Sequence, residues 1–346
     1  MIHFWIRIGL AFTVVIAVGL LFTFERPPVQ TVQSGHRGIG LEQVYNRVAL
    51  ENQIARTVFP EEQPEIDPAG IPSSEVYENV QVLGDVDANE FIRLMGAITE
   101  WVSPEQGCAY CHSEEEAFSD DSLYTKRVSR RMLEMTRAIN AQWADHVGAT
   151  GVNCYTCHAG NPVPAEIWFT EPEHPQTTRM VGNPAGQNRA GEQVGLSSLP
   201  SDPFTPFFIE QPAAIRVITQ TALPTGNRSS IKQTEWTYGL MIHMSDALGV
   251  NCVFCHNSRS FMDWSQSGPQ RTTAWYGIAM VRDLNANYLV PLRDEYPPER
   301  LGVLGDAPKA NCATCHQGAY KPLFGHPAIE GFPDLVGPVV ETTVVQ

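Results

Sequence analysis

The segments CAYCH, CYTCH, CVFCH and CATCH, ending at His112, His158, His256 and His316, use every cysteine of the chain: Cys108 and Cys111, Cys154 and Cys157, Cys252 and Cys255, Cys312 and Cys315. A Cys-x-x-Cys-His run is the covalent attachment site of a c-type haem, with two thioether links to the porphyrin and the histidine as proximal ligand of the iron. Four copies with no cysteine left over predict four covalently bound haem c groups and a fold organised around them. Two four-cysteine zinc sites would use the same pair spacing, but they require no histidine directly after each pair. A thioredoxin-like redox pair needs a strand, helix and strand frame, and none surrounds any motif.

Covalent haem attachment takes place outside the cytoplasm, so an export signal is expected. FWIRIGLAFTVVIAVGLLFTF, residues 4–24, is apolar apart from Arg7 and two threonines. It is long enough to cross a bilayer as a helix of about 20 residues. No A-x-A-like cleavage site follows it and no cysteine is available there for a lipid, so a retained transmembrane anchor over residues 1–25 is expected in place of a cleaved signal peptide. Arg7 would stay inside and the remaining chain would lie in the periplasm. The formal charge of -15, from 38 acidic and 23 basic side chains, excludes nucleic acid as a natural partner and suits steering of a basic protein. EEEAFSDD, residues 114–121, concentrates that charge directly after the first motif.

Past the anchor, residues 26–71 are polar and Pro-rich and read as an extended arm. The first pair of motifs falls in 72–160 and the second in 231–330, separated by a Pro/Gly-rich connection over 161–230 and followed by a tail, 331–346. The two halves repeat: FIRLM ending at Met95 resembles TYGLM ending at Met241, and MTRAINAQW from Met135 resembles MVRDLNANY from Met280. Apolar residues at helical spacing give one stripe of Phe91, Leu94, Met95, Ile98 and Val102, and a second of Val128, Met132, Met135, Ile139 and Trp143. A third stripe holds Leu240, Met241, Met244 and Leu248, stopped by Gly249. Strand signal is slight, so the expected class is mostly α with extensive irregular chain: a multihaem cytochrome c of two repeated two-haem halves behind one N-terminal transmembrane helix.

What fills the sixth position of each iron decides between electron transfer and catalysis, since methionine closes the site and an open position admits substrate. Outside the motifs stand His3, His36, His146, His174, His243 and His326. A methionine on an apolar helical face is more often core than ligand. Met95 and Met241, however, occupy matching repeat positions, 13 and 11 residues before Cys108 and Cys252, and either Met132 or Met135 plays that part before Cys154. The helix before the fourth motif has Gly277 where the second has Met132, so the fourth haem lacks a methionine of its own.

From GHRGIGLEQVYN through the last motif these residues resemble the tetrahaem cytochrome subunit of purple-bacterial photosynthetic reaction centres. The resemblance implies methionine sixth ligands for three haems, Met95, Met132 and Met241, and a fourth, bis-histidine haem that borrows its ligand, at His146. Met132 and His146 are 14 residues apart, about 21 Å if helical, so one rod is expected to serve two irons. Met280, Met135, His243 and Met244 are expected to be packing residues. Many members carry a lipid on an N-terminal cysteine that this chain lacks.

The function implied is a periplasmic electron carrier without substrate chemistry of its own. It would sit on the photosynthetic inner membrane with the L and M subunits, in an assembly with the H subunit and the light-harvesting complex. A soluble basic cytochrome c or high-potential iron-sulfur protein would donate. By the resemblance the third haem lies nearest the pigment pair and the first furthest out, which makes Glu100, Glu105, Glu114, Glu115 and Glu116 the donor's candidate landing site. The rivals are a membrane-anchored tetrahaem quinol dehydrogenase, whose chains are much shorter, and a multihaem reductase, which needs an iron with an open position.

Overall fold

The apolar stripes become helices where a cap can start them. Residues 2–23, 29–33, 40–172, 199–200, 202–209, 215 and 231–338 are described by the computed structural model. His36, His174, most of the 161–230 connection and the chain beyond residue 338 lie outside the described residues. The anchor segment is helix α1, Ile2–Thr23, long and apolar enough to cross a membrane.

The arm is more ordered than its composition predicts. Strand β1, Val29–Gln33, pairs antiparallel with β2, Glu42–Asn46, in the register Val29 to Asn46. Helix α2, Arg47–Arg56, follows, with the Asn46 side chain capping the Ala49 amide. Its order comes from distant partners: the Gln43 amide donates to the Gly249 carbonyl at 3.3 Å, and Ser258 N–H to the Gly40 carbonyl at 3.1 Å. Pairing across some 200 residues of chain leaves no local signature in the sequence.

A short turn α3, Ser73–Val76, leads to α4, Ala88–Val102, whose N-terminus is capped by the Asp87 carboxylate accepting from Asn89 N–H at 2.9 Å. Its buried residues are Ala88, Leu94, Ala97 and Trp101, while Phe91, Met95, Ile98 and Val102 line a large, partly open cavity. One helix thus buries one stripe in the first half's core and lines the cavity with the stripe beside it. Helix α5, Tyr124–Gln142, does the same with Val128, Met132, Met135 and Ile139.

The single rod expected from Met132 to His146 is broken. The backbone leaves helical geometry at Trp143 (φ -112°, ψ 29°), and His146 sits on a separate short turn, α6, Ala144–Val147. Turn α7, Cys154–His158, carries the second motif and α8, Thr205–Phe208, is the described helix of the connection. Helices α9, Ile231–Leu248, and α10, Pro269–Leu284, precede turn α11, Cys312–His316.

Three apolar clusters hold these elements. The first joins Leu94, Ala97, Trp101 and Tyr155 to Phe332 and Leu335, so the segment after the fourth motif returns to complete the core of the first half. The second buries Phe204, Phe207 and Phe208 of the connection against Trp168, Leu240 and Ile278. The third lies between the halves, where Met280 and Leu284 meet Ile139, with Met135 packed against them. Met135 and Met280, expected to be packing residues, share this cluster and also line the cavity.

Candidate functional site: the cysteine-histidine motifs and their cavity

The second and fourth motifs are folded by the residue in front of them. Asn153 accepts the Thr156 N–H at 3.1 Å, and the Thr156 hydroxyl accepts the Asn153 N–H at 3.1 Å. Asn311 and Thr314 repeat the exchange at 3.3 and 2.9 Å. These capping boxes wind Cys154–His158 and Cys312–His316 as single α-turns, each released by a left-handed residue, Ala159 or Gln317, at φ 48°. The first and third motifs have no such box and form 3-10 turns, Gly107–Tyr110 and Cys252–Phe254. The signal was present in the sequence as Asn-Cys-x-Thr in both boxed motifs, and the sequence reading overlooked it.

Each motif histidine is oriented in the same way. The Nδ1–H donates to a backbone carbonyl, from His112 to Phe118 at 3.0 Å, His158 to Asn161 at 2.9 Å, His256 to Phe261 at 3.0 Å and His316 to Ala319 at 3.0 Å. That bond fixes the tautomer and leaves Nε2 as the free lone pair, which is what a metal ligand requires. His146 is held identically, its Nδ1–H donating to the Thr273 carbonyl at 2.9 Å. Burial lowers the pKa of all five rings, that of His316 to about 4, so each is neutral near pH 7 and able to donate its lone pair. Burial also pushes the Cys154 and Cys312 thiols up to about 12.

The cavity has a volume of about 1580 Å³, beyond the roughly 300–1,000 Å³ of a single ligand pocket. Its lining brings together Cys108, Cys111 and His112, the second motif with Cys154, Cys157 and His158, and the fourth with Cys312, Cys315 and His316. Met95, Met132, Met135 and His146 line it too. An apolar space of that size, walled by three haem-attachment motifs and their candidate sixth ligands, fits more than one porphyrin. Lys126, Arg130, Arg300 and Lys309 stand in the same wall, with Lys126 and Arg130 paired to Asp121 and Lys309 to Asp306. Among the described residues no group of three or more His, Cys, Asp or Glu is arranged to hold a metal ion.

Gly277 explains where His146 goes. A Cβ at Gly277 would lie 2.5 Å from Cε1 and 2.9 Å from Nδ1 of the His146 ring, so the imidazole occupies the volume that a side chain would need. The His146 and His316 rings are 6.0 Å apart at 69°. The missing side chain at Gly277 therefore makes room for a histidine beside the fourth motif, although His146 precedes the second.

The third motif stands apart. Its cysteines and His256 are not in the cavity wall, Cys252 is exposed, and the Phe261 ring stacks on His256 at 5.4 Å. Met241 packs against the second apolar cluster, while Met244 and Leu248 of the same helix reach the cavity. His243 is buried, its ring edge-on to Phe204 at 4.5 Å.

Turns α7 and α11 pack against each other, and α4 packs on α7 as α9 packs on α11. Gly249 at the end of α9 lies so close that a Cβ there would meet the Gly318 carbonyl oxygen at 2.2 Å. At the centre the Cα atoms of Cys157 and Cys315 are 4.4 Å apart and their sulfurs are joined as a disulfide. The sequence assigned both sulfurs to porphyrins. A sulfur in a disulfide carries no thioether, so the bond and haem attachment are alternative states of the same two atoms. The other six cysteines form no disulfide.

Glu100, Glu105, Glu114, Glu115 and Glu116 are all exposed. The loop bearing the last three is fastened from behind: buried Lys126 donates to the Phe118 and Asp120 carbonyls at 2.6 Å, and Arg130 pairs with Asp121 at 2.7 Å.

The family model described as "Photosynthetic reaction centre cytochrome C subunit" matches residues 25–336. A photosynthetic reaction center cytochrome c subunit of Rubrivivax gelatinosus (strain NBRC 100245 / IL144) is 52% identical over 331 residues, covering 95% of this chain and 90% of the relative. The subunit of Thermochromatium tepidum is 48% identical over 329 residues, 95% of this chain and 80% of the relative. That of Roseobacter denitrificans (strain ATCC 33942 / OCh 114) is 44% identical over 322 residues, 89% of this chain and 86% of the relative.

Proposed function

The chain belongs to the family of photosynthetic reaction centre cytochrome c subunits, and from that premise we propose that it carries electrons from a soluble donor to the photo-oxidised special pair through four covalently bound haems. Membership makes it a membrane-associated electron-transfer component that carries c-type haem and associates with the reaction-centre core. When bound, each haem supplies a one-electron iron couple. The chain supplies attachment through its eight cysteines, proximal ligation by His112, His158, His256 and His316, and closure of the sixth positions by Met95, Met132, Met241 and His146. The thioether state of Cys157 and Cys315 is the working one.

The observation that carries this reading is His146. It shares the carbonyl-tied geometry of the motif histidines, fills the notch at Gly277 and faces His316. With that ligand supplied, no iron needs an open position, and the site suits transfer in place of catalysis. Contact between turns α7 and α11, with the first motif attached to α4, which packs on α7, and Phe254 of the third motif against Tyr320 just after the fourth, supports the linear order first, second, fourth, third. Matched capping boxes in the second and fourth motifs, and matched 3-10 turns in the first and third, support duplication of a two-haem unit. The soluble part lies on the periplasmic face, with α1 as its anchor.

A spectroelectrochemical titration tests the ligand set. Four low-spin haems are expected, one at distinctly lower potential than the methionine-ligated others. A high-spin haem that binds carbon monoxide would overturn the assignment.

A further inference from the structure

The repeated stretches MTRAINAQW and MVRDLNANY place Asn140 and Asn285 at the same point, eight residues after Met132 in one half and eight after Gly277 in the other. Both side chains are buried, and both make the same grip. Asn140 donates to the Val152 carbonyl at 2.9 Å and accepts the Val152 N–H at 2.8 Å. Asn285, on the turn that continues α10, donates to the Ala310 carbonyl at 3.0 Å and accepts the Ala310 N–H at 2.9 Å. Val152 and Ala310 each stand two residues before the first cysteine of a motif, Cys154 or Cys312. The other amide hydrogen of each asparagine reaches a distant carbonyl, Leu335 at 2.9 Å or Phe208 at 3.4 Å. Both donors of each carboxamide are thus used.

The grip is not a by-product of a shared loop. Asn140 and Val152 are 12 residues apart and Asn285 and Ala310 are 25 apart, so excursions of different length return to the same two-point contact. Holding both the N–H and the C=O of one residue fixes that peptide's orientation as well as its distance. Cys108 and Cys252 need no such device, because they follow closely on α4 and α9, which end at Val102 and Leu248. What each grip joins is chemically specific. Helix α5 carries Met132, and Asn140 ties it to the motif of His158. Helix α10 carries no ligand of its own, but it holds the His146 ring at the Thr273 carbonyl and the Gly277 notch, and Asn285 ties it to the motif of His316.

We propose that Asn140 and Asn285 are positioning residues for the second and fourth haems, each locking the helix that presents the sixth ligand onto the motif that holds the fifth. The inference rests on the function proposed above, through its ligand set. Neither asparagine lines the cavity. Each acts through the spacing of two other residues, Met132 from His158 or His146 from His316. Site geometry of this kind has to be held to within about 0.5 Å by supporting hydrogen bonds, and axial ligation is one of the levers that set a haem's potential. A buried polar group with all its partners rigidifies its surroundings and specifies one arrangement, which an apolar side chain of similar size does not.

The test is a redox titration, resolved by haem, of the full-length haem-loaded protein carrying Asn140→Leu or Asn285→Leu, which keep the size and remove the grip. Asn140→Leu is expected to lower the second haem's potential, changing its oxidised-to-reduced ratio at fixed ambient potential about tenfold, or about 59 mV. It should also weaken the near-infrared methionine-to-iron charge-transfer band. Asn285→Leu is expected to shift the fourth haem by a similar factor and to leave that band intact, because this haem is bis-histidine. Lost stability with all four potentials unchanged would overturn the proposal and make the asparagines structural only; so would a shift of the same haem in both variants. If a leucine variant loses haem, Asn140→Asp and Asn285→Asp, which keep the acceptor and lose the donors, are judged by the same criteria. A high-spin haem in the wild-type protein would strike the ligand set itself, and the proposal with it, whatever the variants do.

Discussion

Gly277→Ala would build a methyl carbon 2.5 Å from Cε1, 2.9 Å from Nδ1 and 3.2 Å from Nε2 of the His146 ring. Ordinary carbon contacts lie at about 3.5–4.0 Å, so the ring has to retreat by roughly 1 Å. The retreat strains the bond from Nδ1–H to the Thr273 carbonyl, now 2.9 Å. Overpacking of this kind costs about 1–3 kcal/mol. If all of that strain falls on one oxidation state of the iron between His316 and His146, its potential moves by about 40–130 mV, taking 59 mV for each 1.4 kcal/mol of a one-electron couple. Alanine also gains about 1 kcal/mol of helix propensity over glycine, which masks the strain in any global stability measurement. The assay is therefore a redox titration resolved by haem. Only the fourth haem is expected to shift, and His146→Met should move that same haem toward the potential of the methionine-ligated ones. A shift of the second haem, or no shift at all, would refute the assignment of His146.

Replacing Glu114, Glu115 and Glu116 with lysine should slow reduction by a basic cytochrome about tenfold or more at about 10 mM salt, with the difference shrinking at 0.15 M, where the screening length is about 8 Å; a rate insensitive to both changes removes the landing site. Mass spectrometry of the haem-loaded protein should find porphyrin on both Cys157 and Cys315, whereas oxidised haem-free chain should yield the two peptides cross-linked; a cross-link in the fully loaded protein contradicts four-haem attachment. The Arg130 hydrogen bond holds the Asp121 carboxyl well below the usual carboxylate range, so its contribution to stability is complete above about pH 4 and is lost as pH falls further. Hydrogen exchange in the 113–122 loop should accelerate on acidification, and Asp121→Asn should abolish that pH step; a pH step that persists in the variant assigns it elsewhere.

The four motifs were legible as units because residue type and spacing are fixed together in them: every Cys-x-x-Cys-His run forms a tight turn with its histidine tied to a carbonyl. The helical stripes were legible as helices, but not as two-sided. The period of Phe91, Met95, Ile98 and Val102 marks an apolar face without saying whether protein or porphyrin covers it. The Gly277 exchange pointed to a missing methionine. Only the fold shows that the space is taken by His146 from a turn separated from α5 by the break at Trp143. The hairpin in the arm and the return of Phe332 and Leu335 to the first half depend on contacts between distant segments, which local patterns do not encode. Cys157 and Cys315 show the same limit: 158 residues apart in sequence, they meet because α7 and α11 pack together.

The proposed route carries electrons to the photo-oxidised pigment pair through the motifs in the order first, second, fourth, third. Time-resolved absorption after a single flash on native membranes tests it most directly. The bleached special pair should recover as a haem α-band is lost, with the haem of Cys252 and His256 oxidised first and the others re-reducing it in turn. Recovery of the pair with no haem oxidation, or with the haem of Cys108 and His112 oxidised first, would contradict it.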